Sequence, residues 1–192
     1  GEILSRGPHI MQGYYGKPEA TKETIDDDGW FHTGDIGALD DEGFLSVTDR
    51  KKNIIVTSGG KNVAPQPIEN ALLNSQYIEQ VMLIGDKRNF VSALIVPNFN
   101  SLKEWANKQN LYYGSNEELI QLGEVSDFIR QELEDHQKEF ARYEKVKEFR
   151  LLPRELTIED GELTPTLKIK RRVVQDEFSD LIEDMYKNAN SS

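Results

Sequence analysis

"QVMLIGDKRNFVSALIVP", residues 80–97, is two apolar runs on either side of Gly85-Asp86-Lys87-Arg88-Asn89. Each run is short, rich in valine, leucine and isoleucine, and bounded by turn formers, so the pair reads as a β-hairpin with a loop. Upstream, "NIIV" (53–56) reads as a third strand, and three strands imply a small sheet. Between them, Pro65 and Pro67 stand just ahead of Ile68, Ala71, Leu72 and Leu73. Proline is tolerated at a helix start, and the apolar spacing supplies one buried face.

Helices to cover such a sheet follow in order. Asn98 to Gln109 is expected to be helical with Leu102, Trp105 and Ala106 inward. From about Glu117 to Glu144, Leu122, Val125, Ile129, Leu133, His136 and Phe140 recur at threes and fours among charged residues, the pattern of one long amphipathic packing helix. After "KEFRLLP", residues 154–166 are polar and hold Asp160-Gly161 and Pro165, hence loop or hairpin. A last helix from about Val173 to Tyr186 would put Val174, Phe178, Leu181, Ile182 and Met185 on one side, and the final serines and asparagines are expected to fray.

Residues 1–48 have another texture. Short extended pieces alternate with Gly7-Pro8, Gly13, Gly16-Lys17-Pro18, Asp28-Gly29 and Glu42-Gly43. "EIL", "WFHTGD" and "GFLSVTD" read as small β elements, with too little apolar content for a core of their own. The fold class expected is α+β: a small three-stranded sheet packed with helices, starting near Asp49 to Asn53, preceded by the β-rich remainder of an incomplete domain. A start at Gly-Glu-Ile-Leu, without methionine, suggests a cut inside a longer gene product.

Bulk properties exclude several classes. The 192 residues with 37% hydrophobic content suffice for an ordinary core. A net charge of −11, from 34 acidic and 23 basic residues, argues against a nucleic-acid partner. Two short cationic clusters, Arg50-Lys51-Lys52 and Lys168 to Arg172 interrupted by Ile169, could each hold one or two phosphates. Cysteine is absent, so there is no disulfide framework, and His9, His32 and His136 are too far apart to suggest a local metal site. No apolar run approaches a membrane span of about 20 residues, and the start is unlike a signal peptide, so the reading is of a soluble protein with no transmembrane segment.

Gly59-Gly60-Lys61 invites a phosphate-loop reading, but G-x-x-x-x-G-K-[ST] would need glycine at Ile55 and a hydroxyl at Asn62. The glycines can instead form a strand-to-helix turn, or leave the backbone bare for a thin ligand. Asp35, in "HTGD", is either a turn aspartate or a carboxylate that accepts two hydroxyl hydrogen bonds, as a ribose offers. Arg50 could reinforce that contact with its permanent charge. Lys168, in "ELTPTLKIKRR", is either a solvated lysine or an ammonium that a shaped turn presents to a phosphate.

Taken in order, "GYYGKPEAT", "DGWFHTGD", "TDRKKNIIVTSGGKNVAPQPIE" and "GELTPTLKIKRR" resemble the adenylate-forming enzymes, which include acyl-CoA synthetases, luciferase and peptide-synthetase adenylation domains. "GGKNVAPQPIE", the helical segment before "FRLLP" and "LTPTLKIKRR" resemble the long-chain fatty acyl-CoA synthetase branch. The resemblance implies AMP-forming activation of a fatty acid with ATP, then thioester formation with coenzyme A. It divides the chain into residues 1–49, the tail of the N-terminal adenylation domain; 50–52, a hinge; and 53–192, a mobile C-terminal domain.

Carried onto this sequence, the resemblance gives Asp35 the ribose hydroxyls, Arg50 the nucleotide and Lys52 the pivot. Lys168 becomes the adenylation lysine, while Gly59, Gly60 and Lys61 line the coenzyme A path. Val56 stands where many relatives have lysine, and Leu167 where most have glycine. The N-terminal domain of the same chain would be the main partner and hold most of the ATP and Mg2+. The fragment alone is expected to be inactive, and the whole enzyme cytoplasmic, with room for peripheral membrane contact. Two rival readings stay open: a family member with a different acid or acceptor, and a non-catalytic module that binds phosphorylated ligands.

Overall fold

A computed structural model describes residues 1–187. The chain divides into two compact units, Gly1–Ile54 and Ile55–Ser192.

The first unit contains strand β1 (Glu2–Ser5), the short helix α1 (Pro18–Thr24), and strands β2 (Phe31–Leu39) and β3 (Leu45–Arg50). The strands form one antiparallel sheet in the order β1-β2-β3, and a 3₁₀ turn, Lys51–Asn53, ends the unit. No hydrophobic residue of this unit belongs to the buried core, and Leu39, Phe44, Leu45 and Val47 are exposed. The thin apolar content expected to leave it without a core does so.

The second unit opens with strands β4 (Ile55–Val56) and β5 (Asn62–Val63), paired only with each other. Next come helix α2 (Pro65–Leu72), strands β6 (Ile78–Ile84) and β7 (Val91–Pro97), and helices α3 (Phe99–Lys108), α4 (Asn116–Gln121) and α5 (Gly123–His136). Strand β8 (Val146–Leu151) and helices α6 (Arg171–Glu177) and α7 (Ser179–Lys187) complete it. The hairpin at residues 80–97 forms as expected, with β6 antiparallel to β7. The third strand of that sheet is β8, parallel to β7, rather than residues 53–56. A parallel partner needs a long crossover, and α3 to α5 provide it.

Alternation along β7 feeds two apolar layers. Val91, Ala93 and Ile95 face a cluster with Ile68 and Leu72 of α2, Leu102 and Ala106 of α3, and Val125, Ile129 and Leu133 of α5. Leu94 and Val96 face the opposite cluster, with Leu156, Leu163, Val174, Ile182 and Met185. Trp105 joins the first layer by stacking on Phe128, ring centroids 4.1 Å apart. Truncating a leucine or isoleucine in such layers costs about 2–5 kcal/mol.

Two expected helices are broken. Leu122 takes an extended backbone (φ −66°, ψ 132°), separating α4 from α5. Helix α5 stops at His136 because the buried Gln137 side chain turns to serve β8, accepting from Val146 N at 2.8 Å. The last helix breaks at Phe178 (φ −99°, ψ 25°), and Leu181 is exposed rather than packed. The expected fraying concerns residues 188–192, which lie outside the described residues. Among the described residues no helix is long and apolar enough to cross a membrane.

Helix α7 is held to the sheet by charge as well as by packing. Arg88 pairs with Glu183 and its guanidinium lies 4.8 Å from the Tyr186 ring, while Arg150 donates to Asp184 at 2.6 Å. The hydrogen bond from Arg88 holds the Glu183 carboxyl below its ordinary range, and that from Arg150 does the same for Asp184. Carboxyls lowered in the folded state contribute stability that is fully present above about pH 5 and is lost as the pH falls through their folded values. Acid titration followed by circular dichroism should show loss of structure below about pH 4, and Glu183→Gln with Asp184→Asn should flatten that limb. An unchanged limb would remove these pairs as its source.

Candidate functional site

Asp35 and Arg50 occupy facing register positions on β2 and β3. That register follows an irregularity between Ile36 and Gly37, where a side chain could not fit: a Cβ on Gly37 would lie 2.8 Å from the Ser46 carbonyl oxygen. Gly34, beside Asp35, has φ +72°, the left-handed region glycine favours. Arg50 Nε stands 3.0 Å from Asp35 Oδ1, and both side chains are more than a third exposed, at 55% and 38%. An exposed pair of this kind contributes about 0.2–1 kcal/mol, too little for stability to be its main purpose. Oδ2 and the two terminal guanidinium nitrogens remain to meet a polar ligand.

Lys52 lies exposed in the 3₁₀ turn after β3. The turn is fixed by Asp49, a buried carboxylate that sequence reasoning passed over: Oδ1 accepts from Arg50 N at 2.6 Å and from Asn53 Nδ2 at 3.1 Å. The available signal was a short polar residue just ahead of a turn. The cationic triplet is not uniform, because Arg50 is committed to Asp35, and Lys51 Nζ to Glu2 at 2.8 Å.

Gly59, Gly60 and Lys61 form the tight turn between β4 and β5. Thr57 closes it: Gly60 N donates to its carbonyl at 2.9 Å and Lys61 N to its hydroxyl at 3.1 Å. Ser58 N also donates to the Arg88 carbonyl at 2.9 Å, tying the turn to the β6–β7 loop. A Cβ on either glycine would meet open space, and only Gly60 is left-handed, at φ +74°. The strand-to-helix turn of the sequence reading is instead a turn between two short strands, with its glycine faces open. Lys61 Nζ rests 5.5 Å from the Tyr143 ring centroid.

Lys168 stands at the tip of a hairpin closed by the Leu163–Ile169 bridge. Thr164 shapes the tip, its N–H donating to the Lys168 carbonyl at 2.8 Å while its hydroxyl accepts from Lys168 N at 3.0 Å. Leu167 takes φ +59°. That is the conformation a glycine would enter freely, and it costs a leucine about 1–2 kcal/mol. The exposed Lys168 ammonium makes no ion pair among the described residues. Its cluster is also divided, since Arg171 donates to Leu83 O at 2.8 Å and pairs with Glu69, while Arg172 lies 3.9 Å from Asp176. A second overlooked residue is Glu162, fully buried and paired with Arg154; a partner eight positions away across a loop leaves no trace in periodicity.

The predicted residues thus fall in four places: Asp35 with Arg50, Lys52 in the 3₁₀ turn, the 59–61 turn, and Lys168. Among the described residues no three His, Asp or Glu side chains gather as a metal site would require.

Residues 52–190 match the model of the AMP-binding enzyme C-terminal domain. The long-chain-fatty-acid–CoA ligase FadD15 of Mycobacterium tuberculosis is 40% identical over 190 residues, covering 97% of this chain and 31% of that protein. Human long-chain-fatty-acid–CoA ligase 1 is 38% identical over 189 residues, covering 97% of this chain and 27% of that protein. The adenylation domain of carboxylic acid reductase from Segniliparus rugosus, solved in complex with AMP and a co-purified carboxylic acid, is 28% identical with a TM-score of 0.76, covering 98% of this chain and 28% of that one. The chain spans about a third of the length of the curated relatives it matches.

The two glycines should separate by stability alone. Gly59→Ala should leave urea denaturation unchanged within about 0.5 kcal/mol, whereas Gly60→Ala should lower stability by about 1–2 kcal/mol for its left-handed backbone. Equal costs would show that both serve the turn in the same way.

Proposed function

Because the chain belongs to the family of AMP-binding enzyme C-terminal domains, we propose that it is the C-terminal part of an AMP-forming long-chain fatty acid–CoA ligase. The names of the 40% and 38% identical relatives support the substrate class. The observation that carries the reading is Lys168, a cation without an ion-pair partner among the described residues on a turn whose backbone is bonded on both sides. An ammonium presented in this way suits an incoming anion.

In the first half-reaction a carboxylate oxygen attacks the α-phosphorus of ATP and the bond to pyrophosphate breaks. Lys168 offsets negative charge where the carboxylate meets the phosphate, a task met mainly by positioned cations. Asp35 accepts the ribose hydroxyls through the oxygen that Arg50 leaves free, and Arg50 aligns that carboxylate. In the second, the sulfur of coenzyme A attacks the acyl carbonyl carbon and AMP departs with the electron pair of the broken C–O bond. Gly59 and Gly60 give the thiol a path without side chains, and Lys61 meets a coenzyme phosphate. Residues 50–52 act as the hinge between the half-reactions, with Lys52 as pivot. Among the described residues no acidic cluster would hold a magnesium ion, and the reading assigns the ion that accompanies ATP, with the acyl pocket, to the rest of the enzyme.

A module that merely binds phosphorylated ligands is not favoured, because the 40% and 38% identical relatives are named as ligases.

Two measurements in the longer protein that carries this chain test the proposal. Lys168→Ala should lower fatty-acid-dependent ATP–pyrophosphate exchange by about 100- to 1,000-fold and leave thioester formation from supplied acyl-adenylate near the parent rate. Equal losses in both steps would overturn the role of Lys168. Lys52→Pro should arrest the enzyme between half-reactions, with exchange retained and acyl-CoA turnover lost; normal turnover would remove Lys52 as pivot.

A further inference from the structure

The hairpin that carries Lys168 is tied down at both feet. On the incoming side, Glu162 is fully buried and both its oxygens are used: Oε1 accepts from Arg154 Nη2 at 2.9 Å, and Oε2 from Arg154 Nη1 at 3.0 Å and Thr157 N at 2.8 Å. Arg154 Nη2 also reaches Glu177 Oε1, at the end of α6, at 2.6 Å. On the outgoing side, Arg171 opens α6, donates to Leu83 O at 2.8 Å and pairs with Glu69, whose Oε1 accepts from Leu83 N at 2.8 Å. Between the feet, Lys170 N donates to Glu162 O at 2.7 Å, so the clamped residue is itself part of the hairpin ladder.

The tip is bonded locally through Thr164 and rests on Leu163 and Ile169, which pack in the second apolar layer between the feet. Where Lys168 stands is therefore set by where the feet stand. Glu162 is buried while the Arg154 side chain keeps 41% of its surface exposed, and a pair with a buried ion is a weak source of stability, because the cost of desolvating that ion offsets the attraction. A bidentate fork does fix direction, since two parallel hydrogen bonds allow one relative orientation.

We propose that Glu162 and Arg154, with Arg171 and Glu69 on the opposite foot, are positioning residues for Lys168, holding its ammonium at the reacting carboxylate and phosphate. The proposal rests on the adenylation role of Lys168 given above. Misplacement of a charge by about an ångström is enough to cost a large factor in rate, so a clamp several residues away can govern the step without touching substrate.

The test is a cycle of variants in the full-length enzyme. Arg154→Ala alone would leave a buried carboxylate unpaired and risk the fold, so both partners are replaced together, as Arg154→Met with Glu162→Gln. The paired variant should keep its thermal midpoint, lower kcat for ATP–pyrophosphate exchange at least tenfold with little change in KM for ATP, and leave thioester formation from supplied acyl-adenylate unchanged. In the Lys168→Ala background the same replacement should have no further effect on exchange, because the group it positions is gone. Equal loss in both half-reactions, or an undiminished tenfold effect without Lys168, would overturn the clamp. If Lys168→Ala spares exchange, the reading of Lys168 falls and the clamp with it; if Lys168→Ala abolishes exchange while the paired variant is normal, only the clamp falls.

Discussion

Strand β7 is buried from Val91 to Pro97, and the second unit is arranged around covering it. A strand buried on both faces needs a neighbour on each edge for its backbone and an apolar layer on each face for its side chains. Strands β6 and β8 supply the edges, helices α2, α3 and α5 one layer, and α6, α7 and the residue 154–169 segment the other. The last of these carries Lys168, the residue proposed for adenylation. Leu163, the residue before the Lys168 tip, belongs to the apolar layer, so the mobile-looking polar loop is grafted directly onto the core.

The parts of the fold legible in the sequence were those whose signal is local. The β6–β7 hairpin could be read because both runs are apolar and a turn separates them. Strand β8 could not, because Lys147, Glu148 and Arg150 interrupt it and its identity comes from a parallel partner some fifty residues earlier, well beyond any periodic window. The break at Leu122 was masked by the apolar spacing that continues across it, although Gly123 stood beside it as a cue.

For the candidate site, residue types were legible and their partners were not. Asp35, Arg50, the glycine turn and Lys168 stand out as motifs. That Asp35 faces Arg50 depends on a strand irregularity at Gly37, and that Arg171 is paired while Lys168 and Lys170 make no ion pair among the described residues depends on Glu69 lying across the fold from Arg171.

The row of apolar side chains on the first unit bears on handling. Leu39, Phe44, Leu45 and Val47 are exposed on a hairpin whose outer strand, β3, has no neighbour on one side within its sheet. Such an edge is a template for strand addition by another molecule. All the buried hydrophobic side chains, by contrast, lie from Ile55 onward. Concentrated solutions of the chain by itself should therefore self-associate through its first 54 residues, and a version starting at Ile55 would keep both apolar layers while shedding the adhesive strand.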